Sequence, residues 1–237
     1  MKITESKRAA AGIGGELNGI TIRRLTHFAA LAAVTVGSCA LGGCKVLTID
    51  EDRAMRARRN GDFNPQSYVD AIWKAKAVPT IDAEAVPAPD LMAAIDKGLD
   101  KAGKTKGRRV GEGSAWTFVL RGDGTVAKID TASPSGSIDV LLSNGRTVRL
   151  QTGPVVAETA IRDALPFVAF NDFSDQLSFA DVGRALTAKA LNGVKPVFAA
   201  LRPGSRIRFL GVANVRDAAD PLVVTPVSAA LASAPAS

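Results

Sequence analysis

The sequence predicts an α+β fold, mainly β, in the form of a small OB-like antiparallel barrel or sheet with two N-terminal helices and inserted helices. Three observations predict it: a strand-like hydrophobic period between residues 116 and 152, an amphipathic helix after it, and two final strands. Strands, then a helix, then two strands is the order of an OB-type Greek-key barrel. Mixed α+β packing of the same elements without barrel closure is the open alternative.

The first helix is predicted to begin at Asn64 and Pro65, because asparagine is a favoured N-cap and proline fits the first helical turn. Four residues with apolar or aromatic side chains then share one helical face: Tyr68, Val69, Ile72 and Trp73. Pro79 is expected to end this helix, since a proline inside a helix removes a hydrogen bond and clashes with the preceding turn.

A second short helix is predicted after a connection rich in proline and alanine. Asp90 is suited to capping its N-terminus. Its buried stripe is formed by Leu91, Ile95 and Leu99. The helix is expected to end near Gly103, because glycine is the residue that most often follows a helix.

Four strands are predicted to follow as a meander. Their ranges are Trp116–Arg121, Thr125–Thr131, Ile138–Ser143 and Arg146–Thr152. Gly122-Asp123-Gly124 is expected to turn the chain in the first pair, and Asn144-Gly145, a strong hairpin signal, in the second pair. Apolar and polar residues alternate from 147 to 151, which predicts one buried and one solvated face. Asp123 and Asp130 are interpreted as turn and strand-end residues.

Two helices are predicted after the meander. Glu158–Leu165 favours a short helix that ends before Pro166. The second helix is longer and has Ser178 and Asp181 in capping-box spacing. Asn192-Gly193 is expected to terminate it.

Two strands and a tail complete the predicted domain. The strands are Arg206–Val212 and Leu222–Val227. Residues 228–237 are rich in Ala and Ser and are predicted to be a disordered tail. A single globular domain is therefore expected over residues 63–227.

The first 43 residues have the composition of an export signal. Arg23 and Arg24 precede Phe28–Leu41, an uncharged and mostly apolar run. As a helix this run would span about 21 Å, short of the roughly 30 Å that a permanent membrane anchor must cross. The run ends in Leu41-Gly42-Gly43-Cys44, which resembles the lipobox of bacterial lipoprotein precursors. This pattern predicts a lipoprotein signal peptide over residues 1–43, lipidation of Cys44 and a tether over residues 44–62.

Two other cleavage sites stay open. Val36-Gly37-Ser38-Cys39 fits a looser lipobox, and Ser38 with Ala40 fits an ordinary signal-peptidase site. Leucine is the better residue three positions before the lipidated cysteine. Leu41 has this position relative to Cys44, which favours cleavage before Cys44. The mature chain is then expected to be lipid-anchored on the periplasmic face of a bacterial membrane, with membrane lipid as a partner.

Part of the formal charge of +7 comes from the predicted signal peptide, residues 1–43. The whole chain has 30 Lys and Arg against 23 Asp and Glu; residues 1–43 hold five basic and two acidic residues, which leaves 25 against 21. The clearest basic cluster of the remainder lies within the tether: Arg53, Arg56, Arg58 and Arg59. Because it follows the lipidation site closely, it is interpreted as lying along anionic headgroups or as a solvated linker, and no nucleic-acid partner is expected.

The predicted mature domain lacks two reactive residue types. The only histidine, His27, and Cys39 lie in the leader, and Cys44 would be blocked by acylation. Histidine-dependent and thiol-dependent catalysis, zinc sites and disulfides are therefore excluded, and no metal or cofactor is expected. Carboxylate pairs, a Ser-Lys dyad or a carboxylate-bound hard cation are the chemistries that remain. The expectation is a non-enzymatic protein.

One polar cluster is a candidate ligand-binding site. It consists of Asn171, Asp172, Asp175 and Gln176, between Phe170, Phe173 and Phe179. Carboxamides and carboxylates beside aromatic faces suit a sugar or a cation. Helix capping and turn formation explain the same residues, and both interpretations stay open. Trp116 is included as a candidate stacking residue, although Trp73 and Trp116 also fit a role as core anchors.

Residues 98–105 match the P-loop pattern letter for letter. A P-loop requires a buried strand before it and a helix after it. Here an amphipathic helix precedes the motif and a Gly- and Arg-rich loop is predicted to follow it, so nucleotide binding is rejected.

Several motifs along the chain resemble one known family. They are Phe63-Asn64-Pro65 with Tyr68-Val69 and Ile72-Trp73, Arg162 to Phe167, Phe170 to Phe173 with Gln176, Ala180-Asp181-Val182, and Thr225-Pro226-Val227. The sequence is similar to predicted periplasmic lipoproteins of unknown function found beside sugar ABC-transporter genes. The family typically has an aromatic residue ahead of the Thr-Pro-Val segment, where this chain has Leu222, Val223 and Val224.

The resemblance implies an accessory role in carbohydrate uptake. The leading hypothesis is a membrane-anchored, non-enzymatic lipoprotein that assists a carbohydrate ABC-transport system, with transporter components as partners. A small-ligand, sugar-binding module that uses the Asn171 to Gln176 cluster is the alternative. A carboxylate-dependent hydrolase acting through Asp172 and Asp175 is the third hypothesis.

Overall fold

The computed structural model describes residues 63–153, 155–156 and 159–232. The predicted signal peptide, Cys44 and the tether lie outside this described part. The helices are α1 (Pro65–Ile72), α2 (Val78–Glu84), α3 (Ala88–Asp96), α4 (Leu99–Lys106), α5 (Ala160–Ala164) and α6 (Gln176–Ala200). The strands are β1 (Val86–Pro87), β2 (Gly107–Arg108), β3 (Trp116–Asp130), β4 (Ser137–Leu142), β5 (Thr147–Gln151), β6 (Arg206–Val215) and β7 (Val223–Leu231).

Five of these strands pair around a ring. Strand β3 pairs with β4, β4 with β5, β5 with β7, β7 with β6, and β6 again with β3. The ring is irregular, because the parallel contact between β5 and β7 consists of only two residue pairs, Arg149–Val223 and Leu150–Val224. The short strands β1 and β2 add to β3. The predicted OB-like arrangement is confirmed, in a mixed form that is not a regular closed barrel.

The predicted turn at Gly122-Asp123-Gly124 is wrong, because these residues lie inside strand β3. It is one continuous strand of 15 residues, and its pairing with β6 runs without a break from Trp116–Val215 to Thr125–Arg206. The glycines serve close packing instead of a turn. A Cβ atom at Gly122 would lie 2.6 Å from Cζ of Phe209, and one at Gly124 would overlap the carbonyl oxygen of Leu141. The two glycines therefore let neighbouring groups approach the strand.

The Asn144-Gly145 hairpin is confirmed. It joins β4 to β5, and Gly145 has φ of +77°, a conformation that glycine adopts without strain. The Leu142 N–H donates to the Arg146 carbonyl at 2.8 Å, which closes the turn.

The N-terminal helix continues past Pro79, which corrects its predicted end. Helix α1 begins as expected, with the Asn64 carboxamide accepting from the Ser67 N–H at 3.0 Å. A π-helical turn over Trp73–Ala77 then links α1 to α2, and Val78 donates to the Trp73 carbonyl. Pro79 thus closely follows the π-helical turn, where the α-helical hydrogen-bond pattern is already interrupted.

The second predicted helix is two helices. Gly98 separates α3 from α4 and has φ of +138°, outside the range of ordinary helical residues. Gly103, the expected end, lies inside α4 against the Trp116 ring. Asp90 lies in the first turn of α3 and is not its cap. Tertiary packing of Gly103 explains why glycine occurs there without ending the helix.

The long helix begins and ends at other residues than predicted. Asp175 is the N-cap of α6 and accepts from the Ser178 N–H at 2.7 Å, so Ser178 is not the cap. The helix is 25 residues long and continues through Asn192-Gly193 and Pro196 to Ala200. Buried Val194 beyond the glycine gives the last turns a packing partner, which overrides the local terminating signal. The short helix is confirmed as α5, with Glu158 outside the described residues.

The last strand also extends beyond its predicted end. Strand β7 runs to Leu231, which pairs with Ile207 of β6. The predicted disordered tail therefore begins too early, since residues 228–231 belong to the sheet. Residues 233–237 lie outside the described part.

Two hydrophobic clusters hold the domain together. Inward-facing strand residues such as Phe118 and Leu120 form the first with α3 and α4. Val119, between them in sequence, belongs to a second cluster that α1, α2, α5 and α6 form against the outer side of the sheet. Successive residues of β3 thus face two cores, which explains why all of its first five residues are buried.

Candidate ligand-binding site

A polar groove lies on the outer face of β4 and β5. Its volume is about 310 Å³. The lining residues come from the end of β3, the following loop, both strands and the start of β7: Lys128, Asp130, Ser133, Ser135, Gly136, Ser137, Asp139, Arg149, Gln151 and Val223. In OB folds this face and the adjoining loop bind oligonucleotides and oligosaccharides, so the position is one where a ligand is expected.

The strand period places the polar side chains in the groove. Asp139 is paired with Arg149 across β4 and β5, and Ser137 with Gln151. The residues between them face the opposite way and are buried: Ile138, Val140, Val148 and Leu150. Since alternate residues of a strand point to opposite faces, burial of this apolar set fixes the polar set on the outside.

An ion pair forms the floor of the groove. Arg149 donates from Nε to Oδ1 of Asp139 at 2.8 Å and from a terminal nitrogen to Oδ2 at 3.3 Å. The hydrogen bond to Asp139 raises the pKa of Arg149, and the charges of Asp139 and Asp130 add to this effect. Both carboxylate oxygens of Asp139 are thereby engaged in a two-point contact with the guanidinium.

The groups around the ion pair retain hydrogen-bonding capacity. Asp130 uses Oδ1 to accept from the Ala132 and Ser133 N–H groups at 3.0 and 3.3 Å. Gln151 uses its carbonyl oxygen to accept from the Thr225 hydroxyl at 2.8 Å. Within the described ranges, Oδ2 of Asp130, the Gln151 amide nitrogen and the Lys128 ammonium have no hydrogen-bond partner.

This set of free groups suits hydroxyl-bearing ligands. A carboxylate oxygen accepts only, an ammonium donates only, and an amide nitrogen donates, whereas a sugar hydroxyl both donates and accepts. One acceptor and two donors on the same surface match such a ligand. Among the described residues, no group of three metal-ligating side chains is present.

The structure brings the predicted cluster of four together at the start of α6. Asn171 and Asp172 lie in a 3₁₀ turn (Phe170–Asp172), and Asp172 accepts from the Ala169 N–H at 3.1 Å. Asp175 caps α6, and Gln176 is the first helical residue. Asn171, Asp172 and Gln176 are exposed, and both carboxylates considered for a hydrolase accept backbone N–H groups. These contacts favour the interpretation of the four residues as helix-capping and turn residues over a ligand-binding role.

The aromatic residues beside this cluster pack on one another. Phe173 contacts Phe63, Tyr68 and Phe179, with ring centroids 5.6 to 5.7 Å apart. The Arg162 guanidinium lies 4.0 Å from the centre of the Phe179 ring. Partial burial raises the pKa of Tyr68, and the charge of Asp172 raises it further. The rings thus stabilise the joint between α1, α5 and α6.

Trp116 does not join the predicted cluster. It belongs to the first hydrophobic core, and its indole N–H donates to Oδ1 of Asp100 at 3.0 Å. The Arg109 guanidinium lies 4.6 Å from the ring centre, and Gly103 packs against the ring. With 9% of its surface exposed, Trp116 serves as an anchor between α4 and β3.

The groove is not among the sites predicted from the sequence. The alternation at 147–151 did predict that Arg149 and Gln151 lie on a solvated face, and Asp130 was correctly interpreted as a strand-end residue. The Asn144-Gly145 turn fixes the register that sets Asp139 beside Arg149, so this pair could have been predicted from the sequence. The contribution of Lys128 depends on the bulge between Val126 and Lys128, which the sequence does not indicate.

The comparisons with solved structures identify the class of fold. The chain is similar to an OB-fold protein from Thermotoga maritima, with 16% sequence identity and a TM-score of 0.60. The match covers 72% of this chain and 99% of that chain. No helix in the described part of the chain is long and apolar enough to cross a membrane. No curated protein matches the sequence.

The family follows from the sequence match. Residues 34–230 match the family model described as "Predicted periplasmic lipoprotein (DUF2291)". The chain belongs to this family and is a periplasmic, lipid-anchored protein. Cys44 falls within the matched region and stays the predicted site of lipidation.

Proposed function

We propose that this lipoprotein is a non-enzymatic accessory to carbohydrate ABC transport and that it holds a small polyhydroxylated ligand in the β4–β5 groove. The observation that carries the proposal is the set of unpartnered groups around the Arg149–Asp139 pair. The choice of a carbohydrate follows the expectation, implied by the resemblance of the sequence, that such lipoproteins lie beside sugar-transporter genes. A lipid anchor would keep the groove close to the membrane that holds the transporter.

The dimensions and lining of the groove support a small sugar over a nucleic acid. A volume of about 310 Å³ is at the lower end of the range for small-molecule sites. Single-stranded nucleic acids are held by aromatic side chains that stack on the bases, and the groove lining contains none. The two carboxylates of the lining are matched by Lys128 and Arg149, so the groove has no excess positive charge to attract a phosphate backbone. A neutral ligand with several hydroxyl groups fits these charges better.

Calorimetry with a panel of monosaccharides tests the ligand-binding part. Lys128→Met removes a donor, and Asp130→Asn removes the charge while keeping an oxygen that can cap the turn. Each change is expected to weaken sugar binding at least about tenfold, as for loss of a hydrogen bond to a charged group. Lys104→Met, which changes an exposed lysine of α4, is the matched control and should bind normally. Absence of binding across the panel would remove this part of the proposal.

The transport part needs a separate experiment in cells. Crosslinking followed by purification of the lipoprotein should recover components of a carbohydrate transporter, and deletion of its gene should slow uptake of the sugar that binds. Reintroduction of the Lys128→Met variant should restore uptake less well than the Lys104→Met variant. Unchanged uptake in the deletion strain, together with no recovered transporter component, would contradict an accessory role.

A further inference from the structure

The net charge of the described part of the chain is concentrated in one segment. The described residues include 20 Lys and Arg and 16 Asp and Glu. Residues 97–112 hold six of the basic residues and two of the acidic ones, so the remaining 14 and 14 cancel. The six basic residues are Lys97, Lys101, Lys104, Lys106, Arg108 and Arg109. The excess positive charge therefore lies on α4 and the residues that flank it.

The fold exposes these cations and leaves most of them unpaired. Lys101 and Lys104 lie on the side of α4 opposite to its buried residues. Arg108 pairs with Glu84 at 2.5 Å. The other five are exposed, and within the described ranges none of them has an ion-pair partner. These five form the basic face: Lys97, Lys101, Lys104, Lys106 and Arg109.

The Trp116 ring holds Arg109 beside α4. Gly103 packs against this ring, and the Asp100 carboxylate accepts from the indole N–H at 3.0 Å. The Arg109 guanidinium lies 4.6 Å from the ring centre. Because α4 and Arg109 contact the same aromatic ring, the arginine and the α4 lysines belong to one surface.

An apolar side chain is exposed beside these cations. Val110 directly follows Arg109 and is 67% exposed, more than any other large hydrophobic residue that the structure describes. Basic residues around an exposed apolar group are typical of surfaces that rest on membranes. The apolar group enters the headgroup region, and the cations are attracted to lipid phosphates.

The lipid anchor by itself leaves the orientation of the domain open. Cys44, the predicted lipidation site, lies 19 residues before Phe63, and a chain of this length spans at most about 65 Å. Any face of the domain can therefore turn toward the membrane. Since the chain belongs to a family of periplasmic lipoproteins, a phospholipid surface is always within this reach. The distribution of charge on the domain then decides which face is attracted to it.

We infer that the basic face docks on anionic phospholipid headgroups and thereby orients the anchored domain on the membrane. Charge complementarity selects this occupant, because an anionic headgroup attracts the five unpaired cations and a zwitterionic headgroup has no net charge to do so. Salt weakens such an attraction by screening it. The inference rests on membrane anchoring and does not depend on a ligand in the β4–β5 groove.

A fluorescent label at residue 110 tests the contact in the mature, acylated protein. Cys44 is the only cysteine of the predicted mature chain and is blocked by acylation, so Val110→Cys takes up the label alone. The protein is reconstituted in vesicles that contain a lipid with a nitroxide on its headgroup. The vesicles consist of phosphatidylcholine alone or of phosphatidylcholine mixed with phosphatidylglycerol.

The label at residue 110 should be quenched in the vesicles with phosphatidylglycerol and not in phosphatidylcholine alone. Quenching should be lost at about 1 M salt, where the Debye length is about 3 Å. Ala188→Cys provides the control label, because Ala188 is exposed on α6, which packs on the second hydrophobic cluster. This control label should stay unquenched in both kinds of vesicle.

Charge variants locate the contact on the basic face. Replacement of three of its lysines by glutamine should weaken docking about a hundredfold and abolish the quenching. The substitutions are Lys97→Gln, Lys101→Gln and Lys106→Gln. A matched control removes three exposed lysines elsewhere and should keep the quenching: Lys74→Gln, Lys76→Gln and Lys195→Gln.

Two results would overturn the inference. One is quenching that is equal in both kinds of vesicle, or unchanged in the variant of the basic face with its circular dichroism spectrum intact. The other is a label at residue 110 that stays unquenched in every vesicle, which would exclude the membrane and leave an acidic protein as the partner of the basic face.

Discussion

Gly103 of α4 lies directly against the indole ring of Trp116 in β3, so closely that a Cβ atom at residue 103 would overlap three atoms of the ring. This contact joins α4 to the sheet and is supported by the hydrogen bond from the Trp116 indole N–H to Asp100. A residue that local rules assign to the end of a helix is therefore a packing residue inside it.

Substitution of Gly103 is expected to destabilise the domain despite the higher helix propensity of alanine. Gly103→Ala forces the indole ring to move and should lower the free energy of unfolding by about 1–3 kcal/mol. Gly193→Ala, in α6 where no atom lies within 4 Å of the added Cβ, should raise it by about 0.5–1 kcal/mol. Urea denaturation followed by fluorescence measures both changes, and a stabilised Gly103→Ala variant would contradict the packing argument.

The Arg162–Asp163 pair should be far more costly to break than a surface pair. The Arg162 and Asp163 side chains are only 12% and 11% exposed, and the Thr159 hydroxyl also donates to Asp163. Arg162→Met leaves a carboxylate nearly buried without its cation and removes the contact with the Phe179 ring, so we expect a loss of about 3 kcal/mol.

The exposed pair between Arg146 and Asp96 provides the comparison for this measurement. Its side chains are 43% and 54% exposed, and Arg146→Met should change the free energy of unfolding by no more than about 0.5 kcal/mol. Adding Asp163→Asn to Arg162→Met should recover part of the loss, because the uncompensated charge is then gone. Equal effects of the two arginine substitutions would show that burial of the pair is unimportant.

The pKa of Tyr68 reports on the cluster at the start of α6. Tyr68 is the only tyrosine in the chain, so an ultraviolet titration follows it alone. Burial is the larger cause of its raised pKa and the charge of Asp172 the smaller one; Asp172→Asn should therefore lower the pKa while leaving it above the ordinary value of 10.0. Asp217→Asn, in the β6–β7 loop, should leave it unchanged.

The same shift predicts how stability depends on pH. A phenol whose pKa is raised by folding is more easily ionised in the unfolded chain. Its contribution to stability is complete below pH 10.0 and is lost as the pH rises through the pKa of the folded state. Asp172→Asn should make this alkaline loss smaller. A steeper loss in the variant would contradict the assigned cause.

The hairpin between β4 and β5 depends on a glycine conformation. Gly145 has φ of +77°, and an alanine there should lower the free energy of unfolding by about 1–2 kcal/mol. Because this turn sets the register of Asp139 and Arg149, the variant should also weaken any ligand bound in the groove. Gly111→Ala, in an exposed loop where an added Cβ would make only an ordinary contact with the Ser114 hydroxyl at 3.8 Å, is the control and should change stability little.

The parts of the fold that depend on local chemistry are predictable from the sequence. Asn64 caps α1 because its carboxamide reaches the Ser67 N–H three residues away, and Asn144-Gly145 turns the chain because glycine tolerates a positive φ. The order of the strands and α6 predicts the OB-like arrangement in the same way. The cap and the turn rest on residues close together in the chain, and the arrangement rests on the order in which such segments follow one another.

Tertiary structure alone decided the features that depend on distant residues. Gly122 and Gly124 lie within a continuous strand because β6 pairs along the whole of β3, and α6 passes Asn192-Gly193 because its later turns pack against the core. Local propensities are worth about 1 kcal/mol per residue, and burial of an apolar side chain is worth more. The grouping of Lys128, Asp130, Arg149 and Gln151 around one groove likewise arises only when β3 and β5 pair on either side of β4.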